Sequence, residues 1–188
     1  MKRSEINAVI KKFEALLAEY KFALPPYLSF TPEEWAEKGH EYDEIRDNAL
    51  GWDVTDYGEG HFDTLGLALI TIRNGNVHNP KYKKPYAEKI MMCDSGQVSP
   101  MHFHWNKMED IINRGGNDII FTFYNADPET GEFLRFVTTL QDGDKLRLYR
   151  ESGQLKLEQI IDGTGYNIMS TLDGSSTLWT LRHGTQAW

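Results

Sequence analysis

A single cysteine, Cys93, in 188 residues excludes an intrachain disulfide framework and any cysteine-built zinc site. Any bound metal must then be held by histidines and carboxylates. Long apolar runs are missing as well. No stretch reaches the roughly 18 consecutive apolar residues that a membrane-spanning helix needs. The opening Met1-Lys-Arg-Ser-Glu-Ile-Asn turns amphipathic before any apolar signal core forms. These absences predict a soluble, cytoplasmic, uncleaved chain with no membrane partner. Positive charge is scarce: 20 Lys and Arg against 28 Asp and Glu give a net charge of −8. No basic stripe stands ready to displace counterions from phosphates, so nucleic acid is excluded as an expected partner. Repeats and low-complexity tracts are absent too. What remains is a folding composition, 40% hydrophobic and 26% charged with both signs present, in a length typical of one domain.

The first fifty residues are helical in texture. Ile6, Val9, Ile10, Phe13, Leu16, Leu17 and Tyr20 recur at the helical period, which predicts an amphipathic helix over 4–20. Thr31-Pro-Glu-Glu-Trp35 supplies an N-cap, a proline at the first helical position and acid in the first turn, predicting a second, short helix. From Gly51 onward the pattern is β. Strands are expected at 65–72, 87–93, 98–105, 119–124, 133–139, 145–149, 155–161 and 176–181. Turn pairs such as Asn74-Gly75, Asp142-Gly143 and Asp173-Gly174 punctuate the region. The expected fold class is therefore mainly β, a barrel or sandwich over 51–188. A helical arm over 1–50 packs outside it through Ile6, Val9, Phe13 and Leu17.

One segment carries chemistry: Gly96, His102, His104, Lys107, Glu109 and Gly116 within 21 residues. Side chains alternate along a strand, so two histidines at i and i+2 face one way and both imidazoles can grip one cation. Glu109 returns a carboxylate five residues later. A His-His-carboxylate set with open positions suits Mn, Fe, Co, Ni or Zn and leaves room for two substrate oxygens. A His-x-His pair also arises by chance on surface strands. Trp105 reads most simply as barrel packing, and Cys93 as a small core residue. His40, His61 and His78 fall in polar loops and read as structural or exposed.

With those spacings the sequence resembles the cupin superfamily, whose first motif places Gly, His-x-His, Glu and Gly where Gly96, His102, His104, Glu109 and Gly116 stand. The likeness narrows further. Ala87-Glu-Lys-Ile, Pro100-Met-His-Phe-His-Trp, Lys107-Met-Glu-Asp-Ile-Ile-Asn-Arg-Gly-Gly and the Leu24-Pro-Pro and Phe30-Thr-Pro-Glu-Glu-Trp stretches are similar to the bacterial D-lyxose isomerases. The similarity is good from residue 1 to about 150 and weak beyond. It implies a cupin-type jelly-roll barrel and a manganese-dependent homodimer. It also implies an enzyme that interconverts D-lyxose with D-xylulose and D-mannose with D-fructose. His102, His104 and Glu109 would be metal ligands, and Lys89, Lys107 and Glu109 the catalytic groups around the sugar. The second cupin motif departs from the family pattern, with Asn167 where a histidine is expected. The fourth ligand is then His183, Asn167 or water. A cupin dioxygenase using the same His-His-Glu set, and a non-catalytic sugar- or metal-binding cupin, are the competing functions.

Overall fold

The computed structural model describes residues 1–102, 109–126, 130, 133–151, 154–159 and 177–183. Helix α1 spans Arg3–Glu19, followed by two short helices, α2 over Pro32–Ala36 and α3 over Asp43–Asp47. The Thr31 hydroxyl accepts from the Glu34 amide at 3.2 Å, and the Glu34 carboxylate accepts from the Thr31 amide at 2.7 Å. The Thr-Pro-Glu-Glu pattern announced the Thr31 N-cap, and the return bond to Glu34 completes a capping box. The strands are β1 Gly51–Thr55, β2 Leu67–Arg73, β3 Ala87–Cys93, β4 Glu109–Gly115 and β5 Ile119–Ala126. They continue as β6 Phe133–Leu140, β7 Lys145–Glu151, β8 Gln154–Gln159 and β9 Thr177–His183.

Seven strands form one sheet in the order β1-β2-β3-β9-β4-β7-β8, and β5 pairs with β6 in a second. Neighbouring strands are antiparallel throughout. This is the mainly β architecture that the strand spacing predicts, of the cupin type that the resemblance implies. Period-two alternation then divides the apolar residues between two cores. Leu69, Met91, Cys93, Ile111 and Leu146 point inward against Ile119, Phe121, Phe123 and Leu140 of the β5–β6 layer. Ala68, Ile70, Ile90 and Met92 point outward and are covered by Phe13 and Leu17 of α1, with Val9, Leu16 and Trp52 beside them. Phe13 meets Trp52 edge to face at 5.6 Å between ring centroids. Each fully buried large side chain of this kind contributes about 1.5–3 kcal/mol. The amphipathic stripe is thus a lid on the outer face of β2 and β3, which explains why those strands read as nearly unbroken apolar runs.

Two differences from the sequence pattern have physical causes. The expected strand at 98–105 is, in its described part, only a parallel bridge between Leu65 and Val98. Pro100 has no N–H to donate, and a ladder does not run through it. Conversely, β4 is a strand that apolar periodicity misses, because its inward positions include Glu109 and Asn113. Asn113 is fully buried, and its Nδ2 donates to the carbonyls of Asn117 and Leu140, at 2.8 and 3.0 Å. Its Oδ1 accepts from the Gly115 amide. The side chain substitutes for ladder hydrogen bonds where β4 bends into β5. His40, His61 and His78 are exposed and Cys93 is buried, as their contexts suggest.

Candidate active site

The strand register fixes where the chemistry-bearing positions meet. Glu109, the first residue of β4, pairs with His183 on β9, and His183 pairs in turn with Ala87 on β3. Opposed residues in antiparallel strands share a face. Glu109 lies two residues before the inward-facing Ile111, so its carboxylate is on the inner face, and it is 8% exposed. The sheet therefore brings the position of His183 beside that of Glu109, although 74 residues separate them in sequence. One layer further along the strands, Thr71, Lys89, Leu181 and Ile111 form a second row. Lys89 is half-buried, on the face it shares with Met91 and Cys93.

The segment between β3 and β4 carries the histidines. β3 ends at Cys93, at the far end of the sheet from Glu109, so residues 94–108 must return the chain along the length of a seven-residue strand, about 23 Å. The return begins with a turn in which the Gln97 amide donates to the Asp94 carbonyl at 3.0 Å and Gly96 adopts φ +74°. That conformation explains a glycine at the head of the motif. Fully buried Gln97 then ties the turn down, accepting from the Asp94 amide and donating to the Phe62 carbonyl. His102 follows on the surface, its Nδ1 2.9 Å from the Pro100 carbonyl. A carbonyl only accepts, so this contact is a hydrogen bond only when the proton sits on Nδ1, and the neutral tautomer of that kind keeps the Nε2 lone pair for a metal.

The remaining expected site residues divide by position. His104, Lys107, Trp105 and Asn167 lie outside the described residues, and His183 is placed by its backbone register alone. Among the described residues, no three His, Cys, Asp or Glu side chains gather as a cation site. Sequence reasoning passed over Thr71. Its signal is a hydroxyl at an inward position of a strand that is otherwise apolar on that face.

The outer face of β4 is structural. Asp110 accepts two hydrogen bonds from Arg147, at 2.7 and 3.1 Å, and lies 3.4 Å from the Lys145 ammonium. Burial works against the charge of Asp110, but the Arg147 hydrogen bonds and the two cations outweigh it and hold its pKa below the ordinary value. At the other end of the strand, Gly115 has φ +133°, and a Cβ there would come within 2.2 Å of the Tyr20 ring. The end of α1 and the end of β4 are thereby pressed together.

The family model for D-lyxose isomerase matches residues 1–167. The chain belongs to the D-lyxose isomerase family. A D-lyxose/D-mannose isomerase of Serratia proteamaculans is 44% identical over 144 residues, 76% of this chain and 63% of the relative. One of Escherichia coli O157:H7 is 41% identical over 158 residues, 84% of this chain and 69% of the relative. The chain thus spans a little under or over two thirds of the length of these D-lyxose isomerase relatives. Among solved structures, the L-ribose isomerase of Acinetobacter sp. DL28 shares the fold with a TM-score of 0.60 at 12% identity, covering 99% of this chain and 82% of that one. The Cellulomonas parahominis L-ribose isomerase does so with a TM-score of 0.56, covering 99% of this chain and 84% of that one, at the same 12% identity.

Proposed function

We propose that this protein is a metal-dependent aldose–ketose isomerase that interconverts D-lyxose with D-xylulose and D-mannose with D-fructose. Membership of the D-lyxose isomerase family supports the reaction class. The observation that carries the site is the inner-face row in which the nearly buried Glu109 is paired in register with position 183. His102, His104, Glu109 and His183 would hold the cation, Mn²⁺ or another divalent transition metal. The donor set fits such an ion: the contact of His102 Nδ1 with the Pro100 carbonyl is of the kind that orients a metal-ligating imidazole, and Glu109 supplies a carboxylate beside the apolar inner core. When bound, the cation supplies Lewis-acid polarisation of the sugar carbonyl and offsets the negative charge that develops as hydrogen moves between C1 and C2.

The protein's own groups do the rest. Lys89, on the inner face one layer from Glu109, donates hydrogen bonds to sugar hydroxyls through its ammonium. Lys107, two residues before Glu109, holds or moves a proton at the sugar oxygens. The apolar wall of Leu69, Met91 and Phe121 limits water on the inner face that carries Lys89. A cytoplasmic homodimer completes the proposal, and light scattering at micromolar concentration tests the dimer. The activity is tested by incubating purified protein with D-lyxose and Mn²⁺, with and without chelator, and assaying D-xylulose. Chelator-sensitive, manganese-restored turnover is expected, and absence of D-xylulose under all conditions refutes the assignment.

A further inference from the structure

Thr71 is 6% exposed and lies directly opposite Lys89 in the β2–β3 pair, two residues beyond the inward Leu69. The inner face around this pair is apolar: Leu69, Met91, Cys93, Ile111 and Phe121 are all buried. Burying a hydroxyl costs free energy unless it is hydrogen-bonded, and valine has the same shape without that cost. A threonine in this layer is therefore unexplained by packing. Opposed residues have Cβ atoms about 4.5–5.5 Å apart, a separation that two hydrogen bonds to oxygens on adjacent carbons can span. The pair is also chemically complementary. The ammonium only donates, whereas the hydroxyl both donates and accepts.

We propose that Thr71 and Lys89 form a two-pronged subsite for vicinal hydroxyls of an open-chain aldose, which makes Thr71 a specificity-determining residue. The inference rests on the isomerase reading above and deepens it. With O1 and O2 of the sugar at the level of Glu109, a step of two residues along the strands is about 6.6 Å. That step places the Thr71–Lys89 layer toward the far hydroxyls of a five-carbon chain, O4 and O5. The subsite therefore reads the configuration at C4, the centre at which D-lyxose and L-ribose differ.

The test compares wild type with Thr71→Val and Thr71→Ser. Melting temperature, kcat/KM for D-lyxose and L-ribose, and the melting shift induced by D-lyxose are measured on the manganese-loaded proteins. Thr71→Val should melt no lower than wild type, lose about tenfold in kcat/KM for D-lyxose, and narrow the preference between the two epimers. A tenfold loss corresponds to one net hydrogen bond. Thr71→Ser, which keeps the hydroxyl, should stay near wild type. Wild-type kcat/KM and epimer preference in Thr71→Val overturns the subsite, as does equal impairment in Val and Ser, which would mark a role in shape alone. If wild type turns over no aldose, the isomerase reading fails separately, and the D-lyxose melting shift decides the subsite. A shift kept by Ser and lost by Val upholds it; the same shift in all three, or none in wild type, refutes it.

Discussion

β3 and β4 are both seven residues long, and both pair with β9, one on each side, yet they are built on opposite plans. β3 is buried on both faces: Met91 and Cys93 fill the inner core, while Ile90 and Met92 take the weight of α1. β4 mixes polar with apolar residues on both faces: Glu109 and Asn113 flank Ile111 inward, and Asp110 and Arg114 flank Ile112 outward. The first plan produces stability through apolar area. The second partners polar groups individually, as the three hydrogen bonds of Asn113 and the cations around Asp110 show. Polar groups are costly inside unless partnered, so β4 can present Glu109 to the interior only because β2, β3 and α1 supply the surplus. The candidate chemistry sits on a strand that buries less apolar surface than β3 does.

If that division holds, removing the support behind β3 should have the largest effect on stability. Phe13→Ala deletes a fully buried ring that covers Ile90 and Met92 and meets Trp52. It should cost about 3–5 kcal/mol. Chemical denaturation gives the value, and a loss under about 1 kcal/mol would show that α1 is an appendage rather than a wall of the fold. The effect on β4 should be different in kind. Glu109→Gln keeps the shape of the side chain and removes its charge, so stability should change by about 1 kcal/mol or less. Manganese binding, read by elemental analysis after gel filtration, should fall steeply. A variant that retains wild-type metal content would remove Glu109 from the proposed ligand set.

The same contrast decides what is readable from sequence. β3 was legible to the residue, because a run of apolar side chains ending at the Asp94 turn leaves little choice of boundary. The stripe of α1 was legible for the same reason, and the Thr31 N-cap was legible from its Thr-Pro-Glu-Glu pattern. β4 was hidden, because hydrophobic periodicity weighs Glu109 and Asn113 as surface residues, and only partners such as the Leu140 carbonyl make them interior ones. The metal-site motif pointed to Glu109 through spacing, not burial. The pairing of position 183 with 109 depends on β9 inserting between β3 and β4, a long-range register that no local pattern encodes. Thr71 was missed because one hydroxyl hardly alters an apolar run.

The smallest effect concerns the outer face of β4 and sharpens the contrast through pH. Asp110→Asn removes the charge that Arg147 and Lys145 surround while leaving the inner face untouched. The pair is partly exposed, so the cost should be about 0.5–1 kcal/mol, reduced by salt. The folded-state pKa of Asp110 is lowered, with the Arg147 hydrogen bonds and neighbouring cations overcoming the opposing effect of burial. Its contribution is therefore fully present above the unfolded value of about 3.9 and is lost as pH falls below that through the folded value. Melting curves of wild type and Asp110→Asn should differ by a constant amount from pH 7 down to about pH 5 and converge in more acidic buffer. A difference that persists unchanged at the lowest pH at which both remain folded would mean that side-chain geometry, not charge, holds β4 to β7.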